Sequence, residues 1–311
     1  MTGWLVVNEF LHSLKFNEIH NWLLDAAKIQ GITMQLKTNA QILVDLSRKS
    51  LVNRRQAIDV NYKYNIAGVK ADTEVDFILF WDKDVRLAYY LEQLGYPVFN
   101  SSNAIGICDD KSLTHLTLMN SDIAMPRTIV SPMTFVNIGY TSLTFLEEVV
   151  ERIQFPMIVK ECFGSFGQQV YLVKNLVELK EKVMQIGSKP LLFQEFITSS
   201  YGKDVRIQVV GNQVIASMYR YSENGDFRAN LSIGGKMKPY TPSKEYCELA
   251  LRCCKIIGLD FCGVDFLFGE NDEPIVCEIN SNAHFKNIYD CTGVNAADAI
   301  ISHIKEKISK G

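Results

Sequence analysis

Along the first hundred residues, short apolar runs take turns with segments of helical spacing. Trp4–Val7 reads as a strand. Between Asn17 and Ala27 the apolar positions Ile19, Trp22, Leu23 and Ala26 fall on one helical face, and Asn17-Glu18 supplies a start. Gly31 closes that unit, and Ile32–Leu36 alternates as a second strand. Val75–Phe80 has the continuous apolarity of a buried strand, Asp84 to Leu94 is a helix closed by Gly95, and Pro97–Asn100 is a further short strand. Strand–helix–strand alternation predicts a doubly wound parallel sheet. Residues 45–72 are polar and irregular, which predicts a mobile insertion or an exposed hairpin.

From about residue 104 the pattern changes. Ile105 to Asn120 reads as one helix, Leu143 to Ile153 as another, and Met157–Glu161 as a strand followed by a glycine-rich loop. Strand Gln169–Val173, helix Leu176–Ile186 and strand Leu191–Phe196 complete this stretch. The rest is β-rich, with strands Val205–Val210, Gln213–Tyr221, Phe261–Phe268 and Pro274–Ile279, and helices from Ser243 to Ile257 and Asn295 to Ile308. An α/β domain followed by an α+β nucleotide cleft accounts for this order. With 311 residues the chain exceeds what one core organises, so the expected division is 1–103, 104–197 and 198–311.

Composition narrows the function classes. Apolar residues make up 47% and charged residues 22%, and the net charge of −3 gives no electrostatic case for nucleic acid or a membrane surface. No apolar run is long enough to span a bilayer, and the N-terminal residues read as a strand rather than a signal segment. None of the eight cysteines forms a CxxC pair, which argues against a zinc ribbon and for reduced thiols in a cytoplasmic protein.

The candidate chemistry lies in the last two-thirds. Phe163-Gly164-Ser165-Phe166-Gly167, between two strands, suits backbone amides closing over phosphates, or a plain hairpin turn; no GK[ST] follows, so it is not a Walker loop. Lys160 ends an apolar strand, where a cation needs an anionic partner such as phosphate, and Lys111 opens a helix after Asp109-Asp110. Gln194-Glu195-Phe196-Ile197 ends a strand with backbone groups suited to an adenine edge. Asp265 in one strand and Glu278 and Asn280 in the next would share a face if the strands pair as a hairpin. Such an all-oxygen set suits Mg²⁺ rather than zinc. Without metal these acids would repel, so amide replacements at Asp265 and Glu278 are expected to leave the fold intact and slightly more stable. Asp204 and Arg206 share a strand face. Arg206 and Arg220 could clamp a phosphoryl group or a carboxylate, and Arg228 and Asn230 follow in Asp226-Phe227-Arg228-Ala229-Asn230.

Taken in order, Asp109-Asp110-Lys111, Phe155-Pro156 through Lys160, Gly164-Ser165-x-Gly167, Gln194 to Ile197, Gly202-x-Asp204-x-Arg206, Asp226 to Asn230, Gly234-Gly235, Gly263-Val264-Asp265 and Glu278 to Asn282 resemble the RimK-like ATP-grasp ligases over about residues 100–305. The resemblance implies an N-terminal pre-ATP-grasp domain and a two-subdomain ATP-grasp fold. It implies Lys111 and Lys160 on ATP phosphates, Glu195 to Ile197 as the adenine hinge, and Asp204 at the ribose. Arg206, Arg220 and Asn230 would lie at the transferring phosphate, with Asp265, Glu278 and Asn280 on Mg²⁺, or Mn²⁺ in its place. Two departures stand out: Gln168-Gln169 after the loop, and Ala283-His284-Phe285-Lys286 where many relatives have Pro-Gly. The implied reaction is activation of a carboxylate as an acyl phosphate and its capture by an amine of an amino acid or peptide. A cross-linking ligase of a ribosomal precursor peptide, a hydroxyl kinase and a nucleotide-binding regulator without turnover are the alternatives, and a homo-oligomer is compatible with all of them.

Overall fold

The computed structural model describes residues 1–11, 13–46, 75–165 and 167–310; most of the predicted 45–72 insertion, and Phe166, lie outside them. Three sheets follow one another along the chain.

The first is parallel, in the order β2-β1-β3-β4, from β1 (Thr2–Val7), β2 (Thr33–Thr38), β3 (Phe77–Trp81) and β4 (Val98–Phe99). Its central strands are apolar on both faces because helices cover both. Leu5, Val7, Leu79 and Trp81 pack with Ile19 and Leu23 of α1 (Leu14–Ile29), while Trp4, Val6, Ile78 and Phe80 pack with Leu87 and Leu91 of α2 (Val85–Gln93). Ser13 caps α1, four residues ahead of the expected start at Asn17, and Asp84 caps α2 through a bond to Leu87 N of 3.0 Å. The predicted doubly wound sheet is therefore present.

The helix expected from Ile105 to Asn120 is two: α3 (Ser102–Asp109) and α4 (Lys111–Leu118). Asp110 breaks it. Its extended backbone makes it the N-cap of α4, with Oδ1 accepting from Ser112 N at 2.8 Å. The break places Lys111 at a helix start facing the glycine loop.

The second sheet is antiparallel, in the order β5-β8-β6-β7, and adds a strand that the pattern does not reveal, β5 (Thr128–Val130), to β6 (Met157–Glu161), β7 (Val170–Val173) and β8 (Leu191–Glu195). Helices α5 (Phe145–Ile153) and α6 (Leu176–Ile186) cover one face. The third sheet, β11-β10-β9-β12-β13, comprises β9 (Lys203–Val210), β10 (Gln213–Tyr221), β11 (Lys236–Pro239), β12 (Phe261–Phe268) and β13 (Pro274–Asn280). Its back, with Val205, Ile207, Val209, Val264 and Phe266, packs on α7 (Lys244–Ile257). The short α8 (Lys286–Thr292) and α9 (Ala296–Lys310) follow, and α9 joins the core of the first sheet through Ile300, Ile301 and Ile304. Among the described residues no helix is long and apolar enough to cross a membrane.

Candidate active site

A cleft opens between the second and third sheets. Every described candidate residue lines it except Arg206 and Asn280. Its roof is the loop between β6 and β7. Gly164 has φ +144° and Gly167 φ +74°, and a Cβ at either would lie within 2.7 Å of a neighbouring side chain, Gln169 at one and Asn230 at the other. Both positions therefore require glycine. Cations from three parts of the chain hold the loop. Lys83 Nζ reaches Ser165 Oγ at 3.4 Å, Lys111 Nζ donates to Gly164 O at 3.0 Å, and Arg228 Nη1 donates to Gly167 O at 2.7 Å.

Lys160 is buried at 8% exposure and donates to Gln194 Oε1 at 2.6 Å. The amide nitrogen of Gln194 in turn bonds Thr128 Oγ1 at 2.9 Å and His115 Nε2 at 3.1 Å. Burial, and then the charge of Lys160, push the His115 imidazole down to about 4. It is thus neutral at physiological pH, and its bare Nε2 accepts from Gln194. This chain of bonds aims the ammonium of Lys160 into the cleft. Farther along β8, the Glu195 N–H is spent on Arg127 O at 2.9 Å.

The floor is the front of the third sheet, and there the acids lie as the spacing requires. Asp265 pairs with Glu278 across β12 and β13, and Gly263 with Asn280. A bulge between Asp265 and Phe266 inserts Cys277, whose Sγ comes within 3.7 Å of Lys160 Nζ. Asp265 is not a free carboxylate. Arg206 grips it with Nε and Nη2, both at 2.6 Å, and Arg220 Nη2 lies 3.0 Å away. Burial favours its neutral form, but the two guanidiniums prevail and hold its pKa below the ordinary value. Arg220 also takes both oxygens of Asp204, at 2.6 and 2.9 Å. Burial raises the Asp204 pKa, with Arg220 opposing. The four groups form a compact square of two cations and two anions, so the repulsion expected among the acids is offset at Asp265. The Glu278 side chain is 30% exposed, with Lys111 Nζ at 3.8 Å. Asn280 Nδ2 is buried and has no hydrogen-bond partner among the described residues.

No group of three or more His, Cys, Asp or Glu side chains among the described residues is placed to hold a metal. What the third sheet offers is a carboxylate open to the cleft, a carboxylate shared with arginine and, outside the cleft lining, the carboxamide of Asn280. This hard-oxygen set fits a Mg²⁺ that keeps water and substrate oxygens as its other ligands.

A family model for the RimK-like ATP-grasp domain matches residues 108–304. The chain belongs to the RimK-like ATP-grasp family. Membership makes it an ATP-dependent ligase of the class that joins a carboxylate to an amine. An uncharacterised Mycoplasma pneumoniae protein is 38% identical over 208 residues, covering 66% of this chain and 72% of that one. Human N-acetylaspartylglutamate synthase A is 33% identical over 205 residues, 66% of this chain and 51% of its own, so the chain spans about half the length of that synthase. Among solved structures, the ATP-grasp ligase PsnB in complex with a minimal precursor superposes with a TM-score of 0.69 at 15% identity, covering 99% of this chain and 100% of that one. That likeness is one of fold.

Three groups at the site escape the sequence pattern. Lys83 follows Asp82 just after β3 of the first sheet, and nothing local shows that it reaches the glycine loop. His115 reads as an ordinary helix residue. Cys277 is aimed at the cleft only by the bulge.

Proposed function

We propose that this ligase binds MgATP in the cleft, transfers the γ-phosphoryl group to a substrate carboxylate and lets an amine displace phosphate from the acyl phosphate. The observation that carries this reading is the convergence of Lys111 and Lys160 with Glu278 under one glycine loop, in one cleft. Phe196 and Ile197 flank the purine, with Phe227 6.2 Å from the Phe196 ring. Lys111 and Lys160 neutralise the phosphates, and Arg228 and Asn230, both at Gly167, seat the loop over the transferring group. Glu278 and Asn280, with Asp265 sharing its charge, would hold Mg²⁺; an oxygen donor set would admit Mn²⁺ as well. When bound, the ion supplies charge neutralisation at the phosphates. Arg206, which does not line the cleft, acts at the transferring phosphate or the substrate carboxylate through its hold on Asp265. Asp204 and Arg220 fix Asp265, and the oxygens of Asp204 reach the ribose only by being shared with Arg220. Catalysis then rests on positioning and charge, without a covalent protein intermediate.

The partners are a small-molecule or peptide carboxylate and an amino acid or peptide amine. All eight cysteines are free, which suits the reducing cytoplasm. Calorimetry with MgAMP-PNP tests the cleft, and ATP-dependent formation of a hydroxamate from a carboxylate panel and hydroxylamine tests the acyl phosphate. Nucleotide binding with phosphorylated hydroxyl products and no hydroxamate would make it a kinase instead.

A further inference from the structure

The chain carries no charged residue from Thr128 to Leu146, and the turn between β5 and α5 lies in the middle of that stretch. Its apolar side chains face water: Val136 is 92% exposed, Met133 82%, Ile138 59% and Phe135 57%. The turn's own bonds hold them there. Ile138 N and Gly139 N both donate to Phe135 O at 2.9 Å, and Thr134 Oγ1 donates to Gly139 O at 2.6 Å. Below them Tyr140 OH donates to Pro132 O at 2.8 Å, and the Tyr140 ring packs 5.4 Å from that of Phe145, against the core under α5. The patch runs on to Val130, exposed at the end of β5, which is the outermost strand of the second sheet. A side chain of this size offers on the order of 150–200 Å² when free, so the turn presents roughly 500 Å² of apolar surface. That is toward the upper end for a single patch on a protein that stays alone in water.

We infer that this turn is the contact between two copies of the chain, related by a two-fold axis so that each apolar tip packs on the other. Two such surfaces together reach about 1,000 Å², the least that a specific interface needs, so a dimer forming at micromolar concentrations is expected. The absence of charge selects the partner. An uncharged surface meets its own copy with no repulsion and no stranded ion, and a two-fold interface asks only that one patch complement itself. A different protein would find no charge here to steer or orient it. Where charge resumes, on the first turn of α5, it is acidic, with Glu147 and Glu148 exposed, so an anionic lipid surface would be repelled. None of the turn's residues lines the cleft, so pairing leaves nucleotide binding free and stands apart from the ligase reading.

Sedimentation equilibrium of the full chain across micromolar concentrations tests this. The wild type should show a monomer–dimer equilibrium. Met133→Lys combined with Val136→Lys puts like charges on both sides of the interface and should weaken the dimer by about a hundredfold. Both positions are exposed in the monomer, so Tm and MgAMP-PNP affinity, measured where both proteins are monomeric, should match the wild type. Val136→Leu, which keeps the surface apolar, should keep the dimer. A wild type that is monomeric throughout, or a dimer unmoved by the two lysines, would overturn the inference. So would a monomer that cosediments through this turn with phosphatidylcholine vesicles, which would make the turn a lipid anchor.

Discussion

The first and third sheets use the same physics to opposite ends. In the parallel sheet, β1 and β3 are buried on both faces and carry continuous apolar runs. In the antiparallel sheet, β9 and β12 give one face to the core and the other to charge: Val205, Ile207, Val264 and Phe266 point back, while Asp204, Arg206 and Asp265 point forward. Period-2 alternation lets a single strand be both scaffold and site. The stability of the charged face therefore depends on pairing, and that of the apolar sheet on packing.

The sharpest way to break this comparison is to remove one charge from each carboxylate on the site face. Asp265→Asn leaves the buried Arg220 and the partly buried Arg206 short of a partner and should cost about 3–5 kcal/mol in urea denaturation as well as turnover. Glu278→Gln, at a partly exposed position, should abolish turnover at a stability within about 0.5 kcal/mol of wild type. Equal stability of the two variants would mean that the arginine clamp is not a structural element. This corrects the expectation that both replacements relieve repulsion. On the apolar sheet, Leu79→Ala removes a fully buried side chain and should cost about 3 kcal/mol, with MgAMP-PNP affinity unchanged in calorimetry.

A smaller effect distinguishes the regions by pH. His115 and His284 both have pKa values pushed down to about 4, in each case chiefly by burial, from an ordinary value of 6.5. The unfolded imidazoles take up protons below 6.5 and the folded ones only near 4. Stability is thus complete above pH 6.5 and drains as pH falls to 4, by on the order of 3 kcal/mol for His115. Urea midpoints measured from pH 7 to pH 4 should show this, and His115→Gln should flatten the slope. The least effect concerns aim alone. Gln194→Leu leaves Lys160 charged but unoriented, and should weaken MgAMP-PNP binding about fivefold, or roughly 1 kcal/mol by calorimetry.

The elements with strong local patterns were readable without coordinates. Met157–Glu161, Leu176–Ile186, Gln213–Tyr221 and Phe261–Phe268 have the expected ends. The missed elements lack such a pattern. Thr128–Val130 and Lys236–Pro239 are short edge strands, formed because β8 and β10 offer them free backbone groups, and Lys286–Thr292 is a two-turn helix. The break at Asp110 is local chemistry that was legible in principle: an aspartate whose side chain caps the next turn competes with the helix it interrupts.

For the site, residue types and their order along the chain were enough to place the glycine loop, both lysines and the Asp265, Glu278 and Asn280 face. Glycine conformation, strand alternation and the cost of burying charge are properties of a few neighbouring residues. Which charges neutralise one another was decided by tertiary structure alone. Arg206 and Arg220 are 59 and 45 residues from Asp265 in sequence and reach it only because β9 lies between β10 and β12. Lys83 likewise meets Ser165, 82 residues away, because the end of β3 comes close to the glycine loop in space. Pairing energies fall steeply with distance in space and carry no mark along the chain, so no run of residues around Asp265 announces that its carboxylate is already held.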